Sequence, residues 1–161
     1  MFDRFGEMDS YEEINELAKN LLEEGDVSNI FLLAKENGIS KEIAEMFLNR
    51  EVPEICDPET AALGKLEIEC TELKPKELME DWVEYIKGLC VENETVAHQV
   101  RKKGKNLKGC LAELLKYAFK NRVSVDKEIV KAAKISASRV DFGVPGMGTA
   151  KKIIRAYYLE A

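Results

Sequence analysis

Several features of membrane proteins and metalloproteins are missing from this sequence of 161 residues. No apolar run approaches the roughly 18 residues of a membrane-spanning helix. The N-terminal stretch MFDRFGEMDS lacks the basic and apolar regions of a secretory signal. The four cysteines form no CxxC pair and there is a single histidine, which argues against a zinc site. We therefore expect a cytoplasmic protein with reduced thiols, no metal and no membrane association.

Each half of the chain is poor in charge of one sign. Residues 1–100 contain 9 Lys and Arg against 25 Asp and Glu, whereas residues 101–161 contain 15 against 5. The whole chain has a formal net charge of −6. Two interpretations follow: the halves neutralise each other within one fold, or each half faces a different charged partner.

Glycine and proline are few, and helical patterns dominate, so the sequence predicts a mostly α-helical fold with several helices. Ser10, Asp26 and Ser40 are capping residues for three short helices, which define an acidic module over residues 1–52. Pro53 and Pro58 indicate a linker or break. A larger helical domain is then predicted over residues 57–161, with a basic segment at 101–120 and a last helix over residues 149–159.

Within this larger domain, residues 59–73 fit two assignments. Leu66, Ile68 and Cys70 alternate as on a strand, but Leu66, Cys70 and Leu73 also recur as on one face of a helix. We predict a helix here.

Two amphipathic helices are predicted next, one beginning at Pro75 and the other spanning residues 107–119. In each helix the apolar side chains recur along one face. These residues are Leu78, Met79, Trp82, Val83, Ile86 and Cys90 in the first helix, and Leu107, Cys110, Leu111, Leu114, Leu115, Ala118 and Phe119 in the second.

No catalytic set of residues can be assembled from the sequence. Nucleophilic catalysis needs a Ser or Cys beside an activating base, and His98 is the one histidine. Carboxylates are too abundant in the first half for any pair to be distinguished. We therefore expect a binding protein without a cofactor rather than an enzyme.

Positive charge is concentrated in VRKKGKNLKGC, Val100 to Cys110, and again near the C-terminus. Lys and Arg side chains that neutralise phosphates release counterions and so bind nucleic acid. The alternatives are contact with the acidic half, or simple solvation. The candidate nucleic-acid-binding residues are Arg101, Lys102, Lys103, Lys105, Lys108, Lys116, Lys120, Lys151, Lys152 and Arg155.

The stretch VPGMGTAKKII, Val144 to Ile154, resembles the loop of a helix-hairpin-helix motif, whose helix N-terminus binds phosphate. In that motif the small residue follows the second glycine by four positions, whereas Ala150 follows Gly148 by two. The alternative is a glycine-rich turn that leads into the last helix.

Five stretches together resemble the PcfK-like proteins of conjugative and integrative elements of gut Firmicutes. They are MFDRFGEMDSYEEINELA, AKENGIS, LKPKELMEDWVEYIK, VRKKGKNLKGC and VPGMGTAKKIIRAYYLE. Some members of this family are inhibitors of the type II CRISPR effector nuclease, that is, anti-CRISPR proteins. The resemblance implies a small, non-enzymatic accessory protein of a mobile element, and it assigns no role to individual residues.

The charge separation suggests three roles within that class, and we expect the first, an inhibitor that binds the nuclease and blocks DNA binding or cleavage, with nucleic-acid binding through the basic 101–155 surface as the alternative. As a nuclease inhibitor, the protein would place acidic residues in the cationic channel of a guide-loaded effector nuclease, and Glu77, Glu80, Asp81 and Glu84 are the candidate contact face. As a conjugation or maintenance protein, it would bind DNA through the basic residues. In the third role, its acidic and basic surfaces would join copies of the chain head to tail.

Overall fold

The computed structural model describes residues 2–160 and confirms the mostly α-helical fold, with one small two-stranded sheet. None of the helices in this range is long and apolar enough to cross a membrane. The elements in chain order are α1 (Tyr11–Glu23), α2 (Val27–Glu36), α3 (Lys41–Leu48), α4 (Pro58–Leu73), α5 (Leu78–Glu92), α6 (Glu94–Arg101), α7 (Leu107–Lys120), β1 (Val123–Ser124), α8 (Lys127–Ala132), β2 (Asp141–Phe142) and α9 (Met147–Leu159).

The first three helices begin where their capping residues predict. The side chains of Ser10, Asp26 and Ser40 each accept a hydrogen bond from a backbone N–H of the first helical turn. Helices α1 to α3 pack around an N-terminal core, whose buried side chains are Met8, Ile14, Ala18, Leu21, Ile30, Leu33, Ala34, Ile39, Ala44, Phe47, Ile55, Cys56 and Ala61.

The stretch that was predicted to be a linker is folded onto this N-terminal core. The Oδ1 atom of Asn15 accepts hydrogen bonds from the backbone N–H groups of Ile55 and Cys56, at 3.0 and 3.1 Å. Its Nδ2 donates to the Cys56 carbonyl at 2.8 Å. Asn15 is buried, so its amide group satisfies backbone groups that water does not reach.

Residues 59–73 lie in helix α4, as predicted, and α4 joins two hydrophobic cores. Asp57 caps its start, with Pro58 in the first turn. Ala61 belongs to the N-terminal core, whereas Ala62 and Leu66 belong to a C-terminal core. That second core is completed by Trp82, Val83, Ile86, Leu89, Cys90, Val96, Ala97, Val100, Leu107, Cys110, Leu114, Ala150, Ile154 and Tyr158.

The boundaries of two predicted helices are corrected by the structure. Helix α5 begins at Leu78 rather than at Pro75, because Glu77 has a left-handed φ of 54° and forms a capping box with Glu80. Helix α9 begins at Met147, two residues before the predicted Thr149.

The apolar faces of α5 and α7 are only partly buried. Leu78 and Met79 at the start of α5 are exposed, as are Leu115 and Phe119 in α7. Periodicity shows which side chains share a helix face, but not how far a neighbouring helix covers that face.

Residues 121–146 form the segment that connects α7 to α9. Strands β1 and β2 pair antiparallel, with Val123 opposite Phe142, and both side chains are exposed. Helix α8, between the strands, has no buried residue. Asp126 caps α8, because its side chain accepts a hydrogen bond from the backbone N–H of Glu128 at 2.8 Å.

Helices α2 and α4 meet through two glycines at the junction of the cores. A Cβ atom added to Gly64 would lie 2.1 Å from the carbonyl oxygen of Asn37. Gly38 has a left-handed φ of 66°, and a Cβ there would lie 2.3 Å from the Gly64 carbonyl oxygen. The two backbones therefore touch directly, which no residue with a side chain permits.

We predict that Gly64→Ala lowers the free energy of unfolding by about 2 kcal/mol, because the opposing backbone must shift to admit a methyl group. Gly88→Ala is the matched control, since nothing lies within 4 Å of the added Cβ on the helical Gly88. That substitution should raise stability by about 0.5 kcal/mol or more. Urea unfolding measures both, and equal effects would contradict the predicted close approach.

Candidate nucleic-acid interface

Arg101 is a structural residue rather than a surface cation. It is 1% exposed, and its Nη2 donates to Oδ1 of the buried Asn37 at 2.8 Å. Burial lowers the pKa of its guanidinium below the ordinary value. The sequence placed Arg101 among the phosphate contacts, and the structure corrects this because the side chain lies between the two cores, with its Cζ 5.6 Å from the Phe2 ring centroid.

The backbone of the basic segment is folded around the buried ammonium of Lys65. Its Nζ donates to the carbonyl oxygens of Lys102 and Lys105, at 2.8 and 2.9 Å, and lies 2.8 Å from Oε1 of Glu7. Helix α6 ends at Arg101, so this ammonium lies where carbonyl groups lack helical partners. A lysine of α4 therefore fixes the turn that follows α6.

Lys105 also has a structural contact. Its Nζ donates to the carbonyl oxygens of Tyr157 and Glu160, at 2.6 and 3.1 Å, and lies 5.3 Å from the Tyr157 ring centroid. These carbonyls are at the C-terminal end of α9, where a cation is favoured. Lys105 is half-buried and holds α9 against the basic turn.

Lys102 and Lys103 are the exposed cations of the same turn. The backbone N–H of Lys103 donates to Oδ1 of Asp9 at 2.7 Å, which ties the turn to the N-terminal segment. The backbone is held, while both side chains extend from a fixed turn into solvent.

Lys108, Lys116 and Lys120 are exposed on α7, spaced four and eight residues apart as on one helical stripe. Lys116 forms an ion pair with Glu113, one turn earlier on the same helix. The stripe borders an apolar groove, because Lys108 and Ala112 line its edge together with Leu115.

Lys151 and Arg155 converge on Tyr85 of α5. Nε of Arg155 donates to the Tyr85 hydroxyl at 2.7 Å, and Nζ of Lys151 lies 5.0 Å from the centroid of the Tyr85 ring. Lys152 is exposed beside them. We call Lys151, Lys152 and Arg155 the α9 cluster. These three cations were predicted from the sequence, but Tyr85 was not. The only feature that could have indicated Tyr85 is that a polar aromatic residue lies next to the predicted acidic face.

The loop before α9 is a glycine turn without a side-chain cap. Gly146 occupies the N-cap position, and a Cβ atom on either Gly146 or Gly148 would meet nothing within 4 Å. This loop therefore does not pack closely against a neighbouring element at either glycine.

The predicted acidic face is exposed on α5 but divides into two pairs. Glu80 and Glu84 line a cleft between α4 and α5, and Glu84 forms an ion pair with Lys87 at 3.0 Å. Glu77 and Asp81 flank Leu78, with Glu77 at the N-cap and Asp81 one turn later.

The acidic and basic halves do not neutralise each other through ion pairs. Within residues 2–160, leaving Asp3 aside, no ion pair joins a cation of residues 101–160 to a carboxylate of residues 2–100. Lys116 and Arg139 pair locally, with Glu113 and Asp141. Apart from Arg101 and Lys105, the predicted cations of the second half are exposed.

The connecting segment, residues 121–146, contributes cations that were not singled out from the sequence. They surround a cavity of about 500 Å³ that also contains Ser124 and Ser138. Its basic lining residues are Lys127, Lys131 and Arg139. The only feature of the sequence that could have indicated these three cations is the total of 15 Lys and Arg in the second half.

The thiols and the histidine do not form a catalytic pair. Burial raises the pKa of Cys56, Cys90 and Cys110 to about 12, so these thiols stay protonated. His98 lies 3.3 Å from Oε1 of Glu94, on the same helix. Among the residues that the structure describes, no three His, Cys, Asp or Glu side chains are grouped to hold a metal ion.

Comparisons with known proteins give no relative for this chain. No protein-family model, no curated protein sequence and no solved structure matches it. The function must therefore be argued from the arrangement of charged and apolar side chains on its own surface.

Proposed function

We propose that this chain is a non-enzymatic nucleic-acid-binding protein that contacts phosphates through the exposed cations of its second half. The observation that carries this proposal is that, within residues 2–160 and with Asp3 set aside, these cations form no ion pair with the acidic half. Two of the ten predicted residues, Arg101 and Lys105, are engaged in the fold. The remaining eight are exposed: Lys102, Lys103, Lys108, Lys116, Lys120, Lys151, Lys152 and Arg155.

In the α9 cluster, two of the exposed cations contact Tyr85 of α5. Tyr85 restrains Arg155 through Nε, which leaves the terminal N–H groups of the guanidinium for another acceptor. Lys151, one turn earlier on the same helix, adds a second charge at the same tyrosine. A restrained Arg loses less side-chain entropy on binding a phosphate than a mobile one.

Sequence selectivity is not expected from this surface. Contacts from Lys and Arg to phosphate oxygens fix the position of a protein on nucleic acid but do not read bases. The protein should therefore bind DNA of different sequences with similar affinity, and binding should weaken steeply with salt.

We predict that Lys151→Ala with Arg155→Ala weakens DNA binding and lowers the slope of log affinity against log salt by about two, one for each phosphate contact. The control is Lys35→Ala with Lys41→Ala, which removes the same charge from exposed positions of the acidic half. Fluorescence anisotropy with a labelled duplex measures both. Equal losses in the two variants would reject a localised interface and leave only a net-charge effect.

A second candidate function is inhibition of a guide-loaded type II CRISPR effector nuclease. It is favoured by the exposed carboxylates Glu80 and Glu84, which lie with Glu67 along the cleft between α4 and α5. The cleft also contains Lys74 and Lys87, and Lys87 pairs with Glu67 and Glu84, so its three carboxylates outnumber its cations by one. Such a nuclease holds nucleic acid in a positively charged channel, which attracts a surface of net negative charge. The resemblance to PcfK-like proteins supports the same candidate.

For this candidate we predict that the protein blocks guided cleavage but not cleavage of the same DNA by a restriction enzyme. Glu80→Lys with Glu84→Lys should abolish the block, because reversed charges are repelled from a cationic channel. Glu128→Lys with Glu160→Lys, two exposed carboxylates of the second half, should leave it intact. Loss of both cleavage activities would instead indicate that the basic surface masks the DNA.

A further inference from the structure

Two phenylalanine side chains are exposed where the connecting segment returns to α7. Phe119, in the last turn of α7, is 65% exposed, and Phe142, in β2, is 69% exposed. Among residues 2–160 these are the only exposed aromatic side chains, since the others are buried or half-buried. Both rings are therefore accessible to a ligand in solution.

Contacts between β2 and the end of α7 bring these two residues to one place. Phe142 pairs with Val123 in the two-stranded sheet. The next residue, Gly143, touches α7, because a Cβ atom there would lie 2.1 Å from the carbonyl oxygen of Ala118. A glycine permits this close approach of two backbones. It places Phe142 beside the helical turn that carries Phe119.

Arg122 lies between the two phenylalanines. Its Nε donates to the carbonyl oxygen of Phe119 at 3.2 Å, and its Cζ lies 5.3 Å from the centroid of the Phe119 ring. On the other side, a Cβ atom on Gly143 would lie 2.8 Å from Cγ of Arg122. The bond through Nε leaves the terminal N–H groups of the guanidinium for another acceptor. We call Phe119, Arg122 and Phe142 the phenylalanine patch.

Positive charge surrounds the phenylalanine patch. Residues 119–143 contain six Lys and Arg against three Asp and Glu. One of the three carboxylates, Asp141, accepts hydrogen bonds from Arg139 and Ser124, at 2.8 and 2.9 Å. A ligand of this surface is therefore expected to be an anion. The six cations are all exposed, and they are Lys120, Arg122, Lys127, Lys131, Lys134 and Arg139.

An unpaired strand of nucleic acid offers both kinds of group that this surface would bind. Each nucleotide of such a strand has a planar base beside a charged phosphate. Bases stack on exposed aromatic rings, and Lys and Arg side chains neutralise the phosphates. In a duplex the bases are stacked on one another, so their faces do not reach a ring on a protein surface. The combination of rings and cations thus favours a single strand.

We propose that the phenylalanine patch binds unpaired nucleic acid, with bases stacked on Phe119 and Phe142 and phosphates held by Arg122 and the neighbouring lysines. This inference rests on the proposed function and names the form of nucleic acid that the protein binds. Lys120 connects the patch to the lysine stripe of α7, since it belongs to both surfaces. Stacking is tolerant of base identity, so the binding stays independent of sequence.

The first test compares single-stranded and duplex probes by fluorescence anisotropy. Phe119→Leu with Phe142→Leu should weaken binding of an oligothymidylate of about 12 nucleotides about tenfold, because leucine is apolar but has no ring for stacking. Duplex affinity and the salt dependence should not change, because no charge is removed. The control is Ile129→Ala with Ile135→Ala, two exposed apolar residues of the same segment, and it should change single-strand affinity by less than about twofold.

The outcomes separate this inference from the proposed function. Equal losses in the two double variants, or no loss in the leucine variant, would overturn the inference, while duplex binding would still support the proposed function. A wild type that binds neither probe would reject both. An oligouridylate of the same length identifies the strand: whichever of DNA and RNA loses affinity in the leucine variant is the occupant, and a loss with neither overturns the proposal.

The second test places a fluorescent ring in the patch. Phe142→Trp should retain single-strand binding, and the emission of its new indole should be quenched by a stacked base. The wild-type chain gives the baseline, because its one tryptophan, Trp82, is 6% exposed. Emission that does not change at saturating oligothymidylate would contradict stacking at this position. Urea unfolding of each variant verifies that the fold is retained.

Discussion

The ammonium group of Lys65 is the interaction on which the rest of the structure depends. It is buried on α4, between the N-terminal and C-terminal cores, and it binds Glu7 on one side and the carbonyl groups of the basic turn on the other. Isolating a charge from water is very unfavourable, so this position is stable only while its acceptors are in place. The contact of Arg101 with Asn37 and the close approach of Gly38 and Gly64 lie at the same junction.

This junction explains how an acidic protein accommodates a concentrated basic segment. Arg101 and Lys105 face inward. Arg101 joins the two cores, and Lys105 holds α9. The carbonyls of the turn bind Lys65, so Lys102 and Lys103 can extend outward from a fixed backbone. In the described part of the chain, with Asp3 set aside, the acidic half forms no ion pair with these or the later cations. The molecule therefore presents separate surfaces of opposite charge, with the apolar groove between α5 and α7 as a third.

Local sequence patterns were sufficient for the helices but not for the roles of individual charged residues. Capping at Ser10, Asp26 and Ser40 is decided by neighbours within a turn, and the periodicity of residues 59–73 identified α4 correctly. By contrast, Arg101 meets Asn37, 64 positions away in the chain, and Lys65 meets a turn about 40 positions away. Nothing near these residues distinguishes them from solvated cations. The same limit hid the exposure of Leu115 and Phe119, which depends on how far other elements cover this face of α7.

We expect the polar junction to make the two cores one cooperative unit, which native-state hydrogen exchange can measure. Amides of Leu33 and Leu114, which lie one in each core, should open with the same free energy and the same urea dependence in the wild-type chain. In Lys65→Met, which removes the ammonium from this junction, the two values should diverge. Two different opening free energies already in the wild type, or no divergence in a folded Lys65→Met variant, would contradict the account.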